Sequence, residues 1–382
     1  MKKKLLCIVI AVGTWGLQCL YEVFKLFGVK NRACFFSRQS DTLTIDFQLI
    51  QQQLRELAPE MEQVTICHRY RDGRDGAVRF AIDQLHSMWL MATSKACVLD
   101  AYWPVVSLLR HREELTVVQI WHSVGKIKRS GYQTLGMASG RDATLARALR
   151  MHRNYDYIIS GGDAWTPYYC EAFDVTADKL RGYGLPRLDW LLEQEDTRPA
   201  LEEKYPELRG KVLVLYAPTY RTYSISQHRE LTELFAGAED HVLISRFHPN
   251  QKFDDASLAG DGRYNSEDIF LWMRACDYLI TDYSSLALEA AALEKKTVYY
   301  LFDYEQYTQQ NGLNTDPKDM MPGCAFESAQ EVFDAICHRE YPMEELQRYR
   351  SDFLPACLGS SARKIAGLVA GLREEENAVV TV

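Results

Sequence analysis

Tyr278-Leu279-Ile280-Thr281-Asp282-Tyr283-Ser284-Ser285-Leu286-Ala287-Leu288-Glu289-Ala290-Ala291-Ala292-Leu293 is the stretch that decides the fold. Its first four residues form a short apolar run that reads as a buried strand. Asp282 to Ser285 make a polar turn, and the alanine-rich run behind it predicts a helix with Ser284 or Ser285 as N-cap. A strand that turns sharply into a helix is the unit of a parallel sheet covered by helices. The start of such a helix leaves backbone N–H groups and a partial positive charge that suit a phosphate. Asp282, Ser284 and Ser285 are therefore candidate diphosphate and nucleotide contacts, and Glu289, one turn in, a candidate acceptor for ribose hydroxyls. Plain helix capping explains the same serines.

The same alternation runs outward in both directions. Arg32–Phe36, Val64–Cys67, Ala96–Leu99, Leu115–Trp121 and Tyr157–Ser160 read as strands, with helical stretches such as Phe47–Leu57 and Val78–Thr93 between them. Asp189–Gly210 is charged and prolyl and reads as a linker with a short helix. A second set follows, with strands at Val212–Tyr216, His241–Arg246, Tyr278–Thr281 and Thr297–Leu301, and a helical run from Met343 to about Leu372. Asp156-Tyr157-Ile158-Ile159-Ser160 and Asp277-Tyr278-Leu279-Ile280-Thr281 echo each other. The fold class expected is α/β: two doubly wound Rossmann-type domains facing a cleft, with ligand groups at the carboxyl ends of the strands. The expected boundaries are 1–29 for an N-terminal segment, 30–190 for the first domain, 191–210 for the linker, 211–345 for the second domain and 346–382 for a helical segment and frayed tail.

Three more strand ends carry polar loops. Val117–Ile120 leads into Trp121-His122-Ser123-Val124-Gly125-Lys126-Ile127-Lys128-Arg129, where His122 suits a general base near neutral pH. Gly125 permits close backbone approach, and Lys126 and Lys128 add positive charge for a phosphate or acceptor. Val242–Ile244 leads into Ser245-Arg246-Phe247-His248-Pro249, and Val212–Leu215 into Tyr216-Ala217-Pro218-Thr219-Tyr220-Arg221. Thr219, Arg221 and Arg246 are candidate diphosphate contacts, since arginine binds phosphate in a bidentate manner. A histidine at one such end is as often a hydrogen-bonded loop residue, and a basic run is more often a solvated face.

Composition excludes other classes. The net charge of -8 argues against nucleic acid as a partner. Ten scattered cysteines without C-x-x-C spacing fit a reducing compartment. The chain has no P-loop and no G-x-G-x-x-G. It also lacks D-x-D, so no metal and no cofactor is expected. Charge neutralisation then falls to Arg, Lys, His and helix termini. Lys2, Lys3 and Lys4 precede an apolar stretch from Leu5 to Leu17, and Leu17, Leu20, Tyr21, Phe24 and Phe27 recur at helical spacing. That pattern predicts a helix lying in a membrane interface. A buried strand at Leu5–Val12 and a cleavable signal peptide are the alternatives.

W-H-S-V-G-K-I-K from Trp121, Y-A-P-T-Y-R at 216–221, R-F-H-P at 246–249 and L-I-T-D-Y-S-S at 279–285 occur in the order found in the CDP-glycerol glycerophosphotransferase family. Gly184-Leu185-Pro186-Arg187-Leu188-Asp189 and Phe302-Asp303-Tyr304 complete the likeness, which covers roughly residues 30 to 370. The resemblance implies a GT-B fold, with residues 30–190 as the acceptor domain and the CDP-linked donor held mainly by the C-terminal domain, 211–345. It implies transfer of glycerol phosphate or ribitol phosphate from CDP-glycerol or CDP-ribitol to a polyprenyl-diphosphate-linked, teichoic-acid-type acceptor. It further implies peripheral attachment to the cytoplasmic membrane surface and functional histidines at His122 and His248. The chain departs from the common W-H-G-T-P at Ser123-Val124-Gly125, and from R-G-F/Y at Asn311-Gly312-Leu313, where donors are expected to be told apart. A nucleotide-sugar glycosyltransferase and an inactive membrane-bound binding subunit are the competing readings.

Overall fold

The computed structural model describes residues 2–138, 140–221, 227–248, 251, 262–356 and 358–372. The chain divides into two compact units. The first comprises Met1–Val124, Arg129–Asp189 and Pro355–Val382, and the second Gly125–Lys128 with Trp190–Leu354.

The first unit is built on six strands, β1 (Lys30–Ser37), β2 (Glu62–Cys67), β3 (Ser94–Leu99), β4 (Thr116–Gln119), β5 (Tyr157–Ile159) and β6 (Leu180–Arg181). They lie in the order β2-β1-β3-β4-β5-β6, with every pair parallel. The second holds β7 (Val212–Tyr216), β8 (His241–Ser245), β9 (Tyr278–Thr281), β10 (Lys296–Tyr300) and β11 (Ala325–Phe326). Their order is β11-β10-β9-β7-β8, again all parallel. Both sheets share one scheme: the second strand lies to one side of the first and the third to the other. The switch points are β1/β3 and β7/β9.

Central strands run apolar without alternation because helices cover both faces. Ala33 to Phe36 of β1 are fully buried, and Phe35 meets Phe47 of the helix Ile45–Leu57 edge-on at 5.3 Å. That helix starts where Thr44 accepts from the N–H of Phe47, and Arg187 donates to Asp46 in its first turn.

Several sequence expectations need correction. Residues 343–372 are two helices, Met343–Phe353 in the second unit and Ser361–Ala370 in the first. Pro355 and Gly359, at φ +93°, lie in the break. Most of the expected linker is helical, with helices Pro186–Glu193 and Arg198–Lys204 and a 3₁₀ turn at Pro206–Leu208. The two-residue strands β6 and β11 are too short for any periodicity to reveal. The Asp156 and Asp277 echo is local. Asp156 accepts from the N–H of Val117 at 2.7 Å and Asp277 from that of Leu213 at 2.8 Å, so each aspartate clips its strand to a neighbour. The strands they open occupy different places in their sheets, fifth in the first and third in the second.

The N-terminal stretch is one helix, Lys2–Phe24, which removes the buried-strand alternative. Its end is docked: Tyr21 is buried and bonds His111, while Phe24 and Phe27 pack edge-on against Trp89. Before that, Leu5, Ile8, Val9, Val12 and Trp15 stand exposed, Trp15 at 71%. The predicted frayed tail and Pro249 lie outside the described residues.

Candidate active site

In the first unit, β4 ends in the His122 loop. Trp121 has φ +60°, a left-handed backbone that a bulky residue adopts only when its surroundings impose it. Here they do so with aromatic packing. The Trp121 ring lies 5.1 Å from Phe173 and 5.9 Å from His152, which itself stacks on Phe173 at 4.1 Å. Gly161 is obligatory beneath this loop, because a Cβ there would stand 1.9 Å from the carbonyl oxygen of Val124. His122 is exposed, and its Nδ1 bonds the backbone carbonyl of Asp100 at 3.0 Å. The Gln39 side-chain amide lies 3.4 Å from the same nitrogen. A carbonyl only accepts, so the bond to Asp100 needs the proton on Nδ1, the tautomer whose Nε2 can act as a base.

At the second unit's switch point, β7 ends in Thr219-Tyr220-Arg221 and β9 in Asp282. Arg221 is buried, and every arm of its guanidinium is engaged. Nε donates to Asp303 at 2.7 Å, Nη2 to Asp303 at 3.0 Å and Asp282 at 2.9 Å, and Nη1 to the Thr219 carbonyl at 2.7 Å. The Tyr307 ring lies 4.6 Å beneath it, stacked in turn on Tyr283 at 3.9 Å. Asp282 also accepts from the N–H groups of Thr219 and Tyr283. Arg221 and Asp282, expected as ligand contacts, spend their bonds on shaping the loops instead. Glu289 is buried inside the unit rather than presented to solvent. The N-cap position of the helix Leu286–Ala292 belongs to Ser285, but the bonding hydroxyl is that of Ser284, which accepts from the N–H of Leu286 at 3.3 Å.

The network draws in further loops. The N–H of Arg221 donates to Gln251 at 2.9 Å, and the N–H of Gln251 to the His248 carbonyl at 2.8 Å. His248 itself is exposed, its ring 5.1 Å from Tyr220. Arg246 bonds the Tyr264 carbonyl at 2.8 Å. Gly125–Lys128 belongs to this unit, held by Asn314, whose side chain donates to the Lys126 carbonyl and whose N–H donates to that of Ile127, both at 2.8 Å. Leu313 bridges Lys128 beside it. Burial pulls the Lys126 ammonium down to about 7. It also lowers Lys128, while nearby Asp282 acts in the opposite direction and Arg221 adds to the lowering. The second unit thus brings Thr219, Arg221, Asp282 and Lys128 together around one switch point. Asp100 and Gln251 were missed from the sequence, the first an aspartate after a strand and the second a glutamine in a loop, with no local pattern to mark either.

Proteins of similar sequence or fold match much of the chain. A Bacillus spizizenii protein named teichoic acid ribitol-phosphate primase is 25% identical over 356 residues, covering 89% of this chain and 90% of its own. A Bacillus subtilis teichoic acid glycerol-phosphate primase is 26% identical over 262 residues, covering 67% of this chain and 68% of its own. In structure, the wall teichoic acid polymerase TagF with CDPG superposes with a TM-score of 0.71 at 18% identity, over 97% of both chains. A Listeria monocytogenes protein described as a UDP-N-acetylglucosamine 2-epimerase superposes at 0.57 and 10% identity, over 89% of this chain and 96% of its own. The fold is accordingly GT-B-like, with two parallel-sheet α/β domains. The family model for CDP-glycerol:poly(glycerophosphate) glycerophosphotransferases matches residues 21–371, and the chain belongs to that family.

Proposed function

We propose that the protein transfers glycerol phosphate from CDP-glycerol to a lipid-linked teichoic-acid-type acceptor and releases CMP. The observation that carries this reading is the placing of His122, an exposed imidazole at the end of β4 with Nδ1 3.0 Å from the Asp100 carbonyl, in a chain of the glycerophosphotransferase family. In the reaction the acceptor hydroxyl attacks the phosphorus bearing the glycerol, His122 Nε2 takes the hydroxyl proton, and the bond from that phosphorus to CMP breaks. The second unit holds the donor. Arg221 and Asp282 fix the loops, and Thr219, Arg246, His248, Ser284, Ser285 and Lys128 supply donors to the diphosphate. Such positioning and charge neutralisation suffice for phosphoryl-type transfer. The Asn311–Asn314 segment, which pins Gly125–Lys128 through Asn314, is where glycerol and ribitol donors are told apart.

The N-terminal helix is the membrane attachment in this reading. In its 21-residue stretch from Lys4 to Phe24, only 6% of the most apolar window is buried in the protein. Its docked end, where Gln18 bonds Arg110 and Tyr21 is buried, leaves Leu5, Ile8, Val9, Val12 and Trp15 exposed, and these side chains enter the apolar part of the membrane.

The test is turnover on a lipid-linked acceptor with CDP-glycerol, CDP-ribitol and UDP-sugars in parallel. CMP release with a product heavier by glycerol phosphate is expected. UDP release establishes the glycosyltransferase alternative, and no nucleotide release from any donor establishes the inactive one.

A further inference from the structure

Arg147, Arg150 and Arg153 follow one another at intervals of three, and all stand exposed on the first unit. With Lys179 they line a cleft of about 940 Å³, whose lining also includes Glu171 and Asp174 from the end of the helix Thr166–Phe173. Among the described residues none of the three arginines makes an ion pair. Glu171 accepts instead from the Gln133 side chain at 3.0 Å. Four cations thus face two carboxylates, a local positive excess in a chain of net charge -8.

The turn that carries the arginines is held in an unfavourable shape. Arg150, His152 and Asn154 have φ of +49°, +62° and +69°, a left-handed backbone that residues other than glycine adopt only when their surroundings impose it. The buried His152 ring stacks on Phe173 at 4.1 Å, and Asn154 donates to the carbonyls of Val106 at 2.9 Å and Leu109 at 2.7 Å. The next residue, Arg110, is gripped by the end of the N-terminal helix: its N–H donates to Gln18 at 2.8 Å, and its carbonyl accepts from Lys25 at 2.7 Å. The helix Ala143–Ala148, which carries Arg147, also packs against the N-terminal helix. The basic cleft is thereby fixed beside the helix whose Leu5, Ile8, Val9, Val12 and Trp15 stand exposed.

The combination selects a partner. A guanidinium binds phosphate in a bidentate manner, so arginines gathered without carboxylate partners suit a phosphate-bearing anion. An apolar helix gives no preference among bilayers, and a chain of net negative charge is repelled by an anionic one. Arginines set beside that helix turn the repulsion into attraction at the depth of the headgroups. Because the strained turn fixes their spacing beforehand, little order is lost when the ligand arrives. We propose that this cleft binds the phosphate of an anionic phospholipid headgroup in the membrane that the N-terminal helix enters. The assignment rests on the membrane reading of that helix and concerns the choice of lipid, apart from donor and acceptor.

The test is co-sedimentation of the full chain with vesicles of phosphatidylcholine alone and of phosphatidylcholine mixed with phosphatidylglycerol. The wild type should prefer the mixed vesicles. Arg147→Gln/Arg150→Gln/Arg153→Gln should lose about a hundredfold in partitioning to them, at about fivefold for each arginine near an anionic surface, and bind phosphatidylcholine as before. Arg55→Gln/Arg209→Gln/Arg339→Gln removes the same charge from exposed positions elsewhere and should stay near wild type. A melting curve on each variant checks its fold. Equal wild-type binding to both vesicles, a loss under about fivefold in the first triple variant, or the same loss in both triple variants overturns the proposal. Inorganic phosphate that displaces the protein beyond a chloride control of equal ionic strength assigns the cleft to the free ion and overturns it as well. Trp15→Glu separates the two readings. If it abolishes binding to both vesicles and the wild type shows no lipid preference, the helix attaches the protein and the cleft proposal falls. If it leaves binding to mixed vesicles intact while the arginine variant loses it, the cleft stands and the helix reading falls. A wild type that binds neither vesicle ends both.

Discussion

Two aspartates occupy the same place in the two sheets, and their surroundings differ. Asp282 ends the third strand of its sheet and is bonded to Arg221 and to two backbone N–H groups. Asp100 ends the third strand of the other, with no such bond to its carboxylate among the described residues. At one switch point the buried charges answer each other and hold the loops in place. At the other, burial leaves a carboxyl without a hydrogen bond among the described residues. The lesson is that a buried charge reports on function through its partners rather than through its position.

The comparison predicts where activity and stability separate. His122→Ala should lower turnover roughly 10²–10⁴-fold, the range of general-base catalysis. Because the side chain is exposed, its melting temperature should stay near wild type, so a variant with full turnover and an intact fold removes His122 as the base. Arg221→Ala should do the opposite. It leaves Asp282 and Asp303 buried without their cation, a loss of about 3–5 kcal/mol by chemical denaturation. A loss under about 1 kcal/mol would show that the network is dispensable.

Asp100 sharpens the contrast through pH. Its carboxyl is raised in the fold, so the folded state keeps a proton that the unfolded chain has released. Stability is then greatest below about pH 4 for this group and falls as pH rises to about 7, by up to about 4 kcal/mol. Asp100→Asn should flatten that slope in denaturation curves collected across the window, and an unchanged slope would assign it to other groups. The smallest effect belongs to Asp189, which accepts from Gly359 N–H at 2.9 Å, the Ser361 hydroxyl at 3.0 Å and Ala362 N–H at 3.1 Å. Asp189→Ala uncaps the returning helix and should cost about 1–2 kcal/mol, read as a lower melting temperature.

The motif containing Asp189 shows how a family likeness and a structural role separate. Gly184-Leu185-Pro186-Arg187-Leu188-Asp189 is part of the family likeness, and in the fold Arg187 bonds Asp46 and Asp189 holds the N-terminus of Ser361–Ala370. Both tie distant pieces of one unit together. Asp303 was legible because it sits in a recognisable Phe302-Asp303-Tyr304, though its bond to Arg221 was not.

Periodicity and punctuation were enough for the long strands, the helices between them and the α/β class, since apolar runs and caps are local and act wherever the chain goes. His122 and His248 stood out for the same reason, as polar residues at the ends of apolar runs. Only the folded chain decided what Arg221 does. Its partners Asp282 and Asp303 lie 61 and 82 residues away, and a guanidinium that reads as a phosphate ligand becomes internal once two carboxylates reach it. Only strand order gave Asp100 its place, because a switch point exists between β1 and β3 when they are neighbours and nowhere along the linear chain.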